Sequence, residues 1–314
     1  MTIAFIGNFE AEFSTENYHK KTFEKLGHKV LTYQENKAEC GDIPTEGYDM
    51  LCWTHTHSYR LGTNAQILAL LDAVKKNGIP SVGYHLDLWL GLEREKDLTN
   101  DPYWNIEYFF TVDKLMAEWL NANTKTKGYF LPAGVFEDDC FIGTPNPEKY
   151  PHEIIFTGAK DYHHEWPYRP KLINWLHETY GNRFAHYGRG GLPQVRGHEL
   201  NNLYASAKVV VGDTLCKGFN YPWYSSDRLF EVAGRGGFLI YPNIEGLETF
   251  YDNTEIQSYD FNDFVSLKEM IDFWLDDDTR DKMRHSKIRR AVARTKFQHT
   301  YTNRLKELLN TIFK

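Results

Sequence analysis

The chain has little of what usually announces a function. Its four cysteines, Cys40, Cys52, Cys140 and Cys216, stand far apart and form no CxxC pair, so they read as reduced, mostly buried thiols rather than a disulfide framework. No GxGxxG follows the first strand, which leaves a dinucleotide fingerprint unsupported. No apolar run approaches the length of a membrane span. The first residues run into an apolar strand with no basic leader, so a cytoplasmic protein with no membrane partner is expected. Positive charge is not in excess either: the formal net charge is −7. Residues 1–150 hold 14 Lys and Arg against 22 Asp and Glu, and the remainder holds 22 against 21. An acidic first part and a near-neutral second part argue against a non-specific nucleic-acid coat. They leave room for a local anion site in the second part.

The 314 residues suffice for two domains of ordinary size. Thr2 to Gly7 predicts a strand, Ser14 caps a helix from Thr15 to Leu26, and His28 to Tyr33 is the next strand. Asp49 to His57, Ser81 to His85 and Tyr108 to Val112 read as further strands, with helices at Asn64 to Asn77 and Lys114 to Ala122. This regular alternation is the doubly wound, parallel-sheet pattern. Gly143-Thr144-Pro145-Asn146-Pro147 reads as an interdomain linker, dividing a first domain at 1–142 from a second at 151–314. The last helix, from Tyr301 to Phe313, is a candidate to cross back to the first domain. In the second domain the strands are Glu153 to Thr157, Arg183 to Tyr187, Val209 to Gly212 and Phe238 to Pro242. Helices are expected at Arg169 to Tyr180, Glu199 to Ser206, Asp263 to Leu275 and Asp278 to Arg294. Two such sheets in tandem are expected to face each other across a cleft, with ligands at the carboxyl ends of the strands. That places His55, His57, His85 and Asp87 on one wall. Gly158, Lys160, Gly188, Arg189 and the stretch from Ser226 to Glu231 fall on the other.

The richest stretch is Ser225-Ser226-Asp227-Arg228-Leu229-Phe230-Glu231, followed by Gly236-Gly237 and an apolar strand. Ser226 and Asp227 are good N-cap residues, and the start of a helix presents free amides and partial positive charge to an anion. Arg228 adds a fixed fork of donors suited to phosphate. Glu231 follows one turn later on the same face, where a carboxylate can accept from both hydroxyls of a ribose. Diphosphate at the helix start and ribose one turn in make a nucleotide-sugar site. The plain alternative is a capped helix carrying a surface Arg–Glu pair.

The order of motifs resembles a known family. From Glu153 to Leu309 the chain is similar to the glycosyl-transferase-like domain of the spore-maturation (CgeB-like) family within the GT-B fold glycosyltransferases. The resemblance rests on Phe156-Thr157-Gly158, Tyr187-Gly188, Leu203-Tyr204, Arg228-Leu229-Phe230-Glu231 with Gly236-Gly237, and His299-Thr300-Tyr301 followed by Arg304. The first part resembles more loosely the acceptor domains of small bacterial and phage glycosyltransferases, through Tyr84-His85-Leu86-Asp87-Leu88-Trp89 and Phe110-Thr111-Val112-Asp113. The resemblance implies two Rossmann-like doubly wound domains, the first binding an acceptor and the second a nucleotide-diphosphate sugar, UDP-linked for preference. It implies that the sugar passes to a hydroxyl without a metal or other cofactor. By position, Glu231 corresponds to the ribose glutamate, Arg228 and the adjoining helix start to the diphosphate site, and Val195-Arg196-Gly197 to the segment along the nucleobase. Many retaining members carry a second glutamate eight positions before the ribose glutamate. Trp223 stands there in this chain.

For the chemistry itself, the leaving diphosphate needs stabilisation as its charge develops. Arg228 is the first choice for that task, followed by Lys160 and Arg189, each of which also reads as a solvated loop cation. Asp87, at the end of a buried strand beside Trp89, is the candidate base for the acceptor hydroxyl; its rival role is that of a cap. Asp113 is better read as the N-cap of the helix at Lys114. His55, His57 and His85, with Trp89, are candidate acceptor contacts, and the histidines read equally as satisfied structural groups. They lack a metal-ligand spacing, so no metal site is expected. The basic run from Arg280 to Lys296 is either a solvated helix face or a track for a polyanion such as DNA. A hydroxymethylated base in phage DNA is then one acceptor option, flipped into an aromatic cleft near Trp53, Tyr84 and Trp89; a glycan or a small molecule is another. If phage-encoded, the protein would work in the host cytoplasm. Competing functions are a nucleotide-sugar epimerase or hydrolase on the same fold and a non-catalytic nucleotide-binding relative.

Overall fold

Among the described residues, eleven strands form two separate sheets, each of them parallel throughout. The computed structural model describes every residue except Ser58, Asp277 and the side chain of Asp278. It divides into a first unit of Met1–Pro132 with Tyr301–Lys314 and a second of Ala133–Thr300. The first unit is built from β1 (Thr2–Gly7), α1 (Thr15–Lys25), β2 (Lys29–Gln34), β3 (Met50–Trp53), α2 (Asn64–Lys76), β4 (Ser81–His85), a short α3 (Asp97–Asn100), β5 (Tyr108–Thr111), α4 (Lys114–Asn123) and β6 (Lys127–Phe130). The sheet order is β2-β1-β3-β4-β5-β6, the doubly wound order with its reversal between β1 and β3. The helix starts behave as their sequences predict: Ser14 accepts from the Asn17 amide, Thr63 from Gln66 and Asp113 from Leu115.

Side chains alternate across the pleat of β1 into two buried layers. Ile3 and Phe5 pack with Phe23, Met50, Val82, Tyr84 and Phe110, while Ala4 and Ile6 pack with Leu51, Trp53, Ile67, Leu70 and Trp89. Both faces of the sheet are therefore covered, as an all-parallel sheet requires. The closing helix of the chain belongs to this unit, contributing Leu305 and Leu308 to the Phe5 layer.

The second unit contains β7 (Ile154–Thr157), α5 (Tyr168–Tyr180), β8 (Phe184–Tyr187), α6 (His198–Ser206), β9 (Val209–Val211), α7 (Arg228–Gly234), β10 (Leu239–Pro242), β11 (Gln257–Tyr259), α8 (Phe264–Leu275) and α9 (Asp278–Gln298). The closing helix is α10 (Tyr301–Ile312). The strand order β11-β10-β9-β7-β8 repeats the doubly wound plan, with its reversal between β7 and β9. Among the described residues no helix is long and apolar enough to cross a membrane.

Three local expectations need correction. The chain divides at Pro132/Ala133 rather than at residues 143–147. Gly143 is small because it lies against the α6 backbone, where an added Cβ would come within 2.3 Å of the Asn201 carbonyl carbon. Thr144 and Asn146 amides then donate to Asn202 and Ser206 on the same helix, so this Gly- and Pro-rich run is packed structure. The third strand ends at Trp53, and His55 and His57 lie in the loop beyond it, so they share no strand face. Two short strands, β6 and β11, escaped notice; β11 is a three-residue edge with little apolar pattern to betray it.

The first unit carries an acid-sensitive element. His19 on α1 is 1% exposed, stacks on Tyr84 with centroids 5.0 Å apart and meets Tyr301 of α10 edge-on at 4.6 Å. Burial pushes its imidazole down to about 3. The unfolded chain therefore takes up a proton on His19 below its ordinary value of 6.5 while the folded chain does not, so stability is lost as pH falls from 6.5 towards 3. At pH 4.5 that linkage costs about 3 kcal/mol. Thermal unfolding between pH 7 and 4.5 should show a smaller fall in Tm for His19→Phe than for the wild type; equal falls would exclude His19 as the source.

Candidate functional site

The reversal point of the second sheet is occupied by a cation. Arg228, at the start of α7, donates from Nε to the Thr157 carbonyl at 2.7 Å and from Nη1 to the Asp213 carbonyl at 3.2 Å. Those carbonyls stand at the end of β7 and just past β9, where connections leave in opposite directions and a crevice opens. The guanidinium carbon lies 5.1 Å from the Phe156 ring centroid. Its hydrogen-bond partners among the described residues are neutral main-chain oxygens, so its positive charge is not spent on a carboxylate.

Two glycines make the space. Gly158 has φ +123° and Gly188 has φ +142°. A Cβ on Gly158 would lie 2.2 Å from Arg228 Nη2, and one on Gly188 would lie 2.2 Å from the Gly158 oxygen. Both positions therefore demand glycine twice over, by conformation and by contact. The Gly158 amide donates to the Tyr187 carbonyl at 2.9 Å, His186 Nε2 bonds the Gly158 oxygen at 2.6 Å, and the Lys160 amide donates to the Arg189 carbonyl at 2.9 Å. The loops after β7 and β8 are thus laced together. Lys160 Nζ itself donates to Asn174 of α5, and Arg189 Nη2 reaches across to the Asp161 carbonyl in the loop after β7; both side chains brace neighbouring structure.

The expected capping by Ser226 and Asp227 does not occur. Asp227 adopts a helical conformation and no side-chain oxygen caps α7. Ser226 Oγ instead donates to the Asp213 carbonyl at 3.2 Å, and its amide meets Thr214 Oγ1 at 3.1 Å. Ser226 thereby secures the same residue that holds Arg228. Glu231 follows one turn later, with 24% of its side chain accessible and Oε1 3.5 Å from Arg235 Nε. Burial raises its carboxyl above the ordinary value; Arg235 opposes this most strongly, Asp227 reinforces it, and Arg196 and Arg228 also oppose it. Arg196, on the exposed loop before α6, is thus brought to Glu231 together with Arg228. Trp223, where a second glutamate stands in related sequences, has φ 57°, donates its amide to the Glu245 carbonyl and lies against Gly246.

Two buried ion pairs went unread in the sequence. Asp213 is fully buried and accepts from Arg169 Nε at 2.7 Å and from Trp166 Nε1 at 3.1 Å. Arg169 also donates from Nη1 to the Ala159 carbonyl, tying the β7 and β9 loops together. Arg235 pairs with Asp139, Nη2 to Oδ2 at 2.6 Å. The available signals were thin: Asp213 lies just beyond an unbroken Val-Val-Val strand, and Arg235 is four residues after Glu231.

In the first unit, β4 ends on His85, which is 5% exposed. Neither ring nitrogen finds a hydrogen-bond partner among the described residues, and the nearest carboxylate oxygen is Asp87 Oδ2 at 3.7 Å. Burial pushes the imidazole down to about 4, so it is neutral at pH 7. Asp87 is about one-third exposed and lies 3.6 Å from Arg94 Nη1. Arg94 covers the Trp89 ring at 4.7 Å, and His57 stands 5.5 Å from that ring on the other hand. His85, Asp87, Trp89 and His57 are therefore neighbours. His57 also pairs with Asp97 at 2.9 Å. His55 has a different role: buried, it bonds the fully buried Glu35 at 2.5 Å, and Glu35 also accepts from Trp53 Nε1 and the Thr56 amide.

The aromatic cleft expected near Trp53, Tyr84 and Trp89 is instead core, because each ring is 1% exposed. The basic run on α9 splits in two. Arg284 is buried against Asp281, Arg294 lies 3.3 Å from Glu255, and Arg280 pairs with Asp276. Lys282, Arg289, Arg290 and Lys296 are exposed.

Residues 169–310 match a protein-family model described as glycosyl transferase-like. No curated protein matches the sequence. Among solved structures, an alpha-glucosyltransferase in complex with UDP-glucose and DNA containing an abasic site aligns over 100% of this chain and 99% of its own, with TM-score 0.67 and 13% identity. An alpha-glucosyltransferase in complex with UDP and a 13-mer DNA containing a HMU base aligns over 100% of both chains, with TM-score 0.62 and 14% identity. HepE from Anabaena in complex with UDP covers 99% of each chain, with TM-score 0.60 and 10% identity. The likeness is one of fold: two Rossmann-like, parallel-sheet domains of the GT-B glycosyltransferase type, the class expected from the sequence.

Removing one partner of a buried ion pair strands the other without compensation. Asp213→Ala should destabilise the second unit by about 3–5 kcal/mol, read as a shift in the denaturant midpoint. A shift below about 1 kcal/mol would show that Arg169 is solvated by other means.

Proposed function

We propose that the protein is a glycosyltransferase that moves a sugar from a UDP-sugar to a hydroxyl acceptor, with a hydroxymethylated base in DNA as the acceptor. The observation that carries this reading is Arg228, a charged fork held by main-chain oxygens at the reversal point of the second sheet, with the partly accessible Glu231 side chain one turn beyond. The diphosphate lies against Arg228 and the glycine-lined loops at 158 and 188, and Glu231 accepts from the ribose hydroxyls. Arg228 stabilises the charge that grows on the leaving diphosphate as the glycosidic bond breaks. Arg196 borders the nucleoside. The second unit is thus the donor domain, and it is also where the likeness to the CgeB-like sequences lies.

The first unit supplies the acceptor groups. Asp87 takes the proton of the attacking hydroxyl in an inverting course, while in a retaining course the departing phosphate oxygen can do so. Neutral His85 and Trp89 pack beneath that region as its buried support, with the exposed His57 beside them. The choice of DNA draws on the DNA-bound relatives and on the exposed cations of α9.

Isothermal titration should show UDP binding to the wild type, and Glu231→Ala should weaken it at least about tenfold, as expected for loss of hydrogen bonds to a charged group, with the apo Tm little changed. No binding of any nucleoside diphosphate by the wild type would end this reading. Incubation with UDP-glucose and hydroxymethylated DNA should give sugar-modified DNA and free UDP. Donor conversion without acceptor would point instead to an epimerase or hydrolase, and UDP binding with no turnover to a non-catalytic relative. For the acceptor, the plot of log K against log salt for duplex DNA should become shallower by about 2 in Arg289→Ala/Arg290→Ala, since each phosphate contact contributes about 0.9 to that slope. An unchanged slope would remove α9 from the DNA path.

A further inference from the structure

Arg235 is a buried cation that the proposed chemistry does not use. It follows α7, is 2% exposed, and meets partners from three segments. Nη2 donates to Asp139 Oδ2 at 2.6 Å, Nη1 donates to Asn201 Oδ1 at 2.9 Å and to the Gly197 carbonyl at 3.1 Å, and Nε lies 3.5 Å from Glu231 Oε1. Asn201 in turn donates to the carbonyls of Asp139 and Phe141, each at 2.8 Å. His198 Nε2 stands 3.4 Å from the other Asp139 oxygen. A single guanidinium therefore joins the end of α7, the first turns of α6 and the 139–141 segment.

Stability alone does not account for this group. A well-packed apolar side chain of similar volume is commonly as good as a buried ion pair, whereas the pair imposes geometry that an apolar contact cannot. What it imposes here is the placement of Glu231 and of the loop that carries Arg196 and Gly197. We infer that Arg235, answered by Asp139, is the positioning residue of the nucleoside end of the donor site, orienting Glu231 towards the ribose diol and fixing Gly197 beside it. The inference rests on the reading of Glu231 as the ribose acid. The charged groups acting on that carboxylate are Arg235, Asp227, Arg196 and Arg228, and the buried Tyr204 hydroxyl of α6 also lies close enough to interact with it. Of the charged groups, Arg235 is the buried one, so its charge is the least screened by solvent.

The test compares UDP with 2′,3′-dideoxy-UDP by calorimetry, with inorganic pyrophosphate as a probe of the phosphate end. Wild type should prefer UDP about a hundredfold, from two hydrogen bonds to a charged acceptor. Arg235→Met should cut that preference to below about fivefold and leave pyrophosphate binding unchanged, and Arg235→Lys should recover part of the preference. As pH falls, the preference of Arg235→Met should be lost at a higher pH than that of the wild type, because without Arg235 the burial that raises the Glu231 carboxyl is less opposed. Should Arg235→Met fail to fold, Asp139→Asn replaces it, with a partial loss of preference expected. Full preference, with the wild-type pH profile, in whichever of these variants folds would overturn the positioning role and leave the donor assignment standing. A wild type that binds UDP and its dideoxy analogue equally would overturn the ribose reading itself.

Discussion

The second unit is organised around one arginine bonded to two strand-end carbonyls. Parallel strands leave their terminal carbonyls unpaired at the edge of the sheet, and between β7 and β9 no crossover covers them. Arg228 satisfies those oxygens of Thr157 and Asp213 and so closes the top of the sheet without neutralising itself. The contrast with its neighbours is instructive. Arg169 and Arg235 are each matched by an aspartate at 2.7 and 2.6 Å, so their charges are balanced internally. Arg228 is secured by dipoles, and a fixed cation of that kind still attracts an anion. The glycines at 158 and 188, the bond from Ser226 to Asp213 and the Asp213–Arg169 pair all keep that one side chain where it is.

The first unit uses its polar groups in the opposite sense. Burial drives His19 and His85 towards the neutral state. Glu35 is surrounded by donors from Trp53, His55 and Thr56. These groups fix the shape of the strand ends. The acidic balance of this part of the chain resides mostly on its surface.

Much of this architecture was legible because parallel sheets write themselves plainly: apolar strands, caps such as Ser14 and Asp113, and glycine stops recur at short intervals. The corner where Gly158, Gly188 and Arg228 meet was legible as residue types, since glycines at positive φ and a cation at strand ends have few substitutes. What escaped was long-range pairing. Nothing local to Asp213 announces Arg169, 44 positions earlier, and nothing near Asp139 announces Arg235, 96 positions on. The same limit explains the errors. Gly143 looked like a hinge because its contact with α6 is invisible in the chain, and Trp53, Tyr84 and Trp89 looked like a binding cleft because aromatic residues serve cores and sites alike. Ser226 read as a cap because its true partner, the Asp213 carbonyl, comes from another strand.

The last helix adds a constraint of a different kind. Because α10 completes the Phe5 layer of the first unit, residues 133–300 form an insertion within that unit. During synthesis the layer receives Leu305 and Leu308 only after the entire inserted unit has left the ribosome. Until then Phe23, Met50 and Leu131 lack part of their cover, so the nascent first unit is a natural client for chaperones that bind exposed apolar surface.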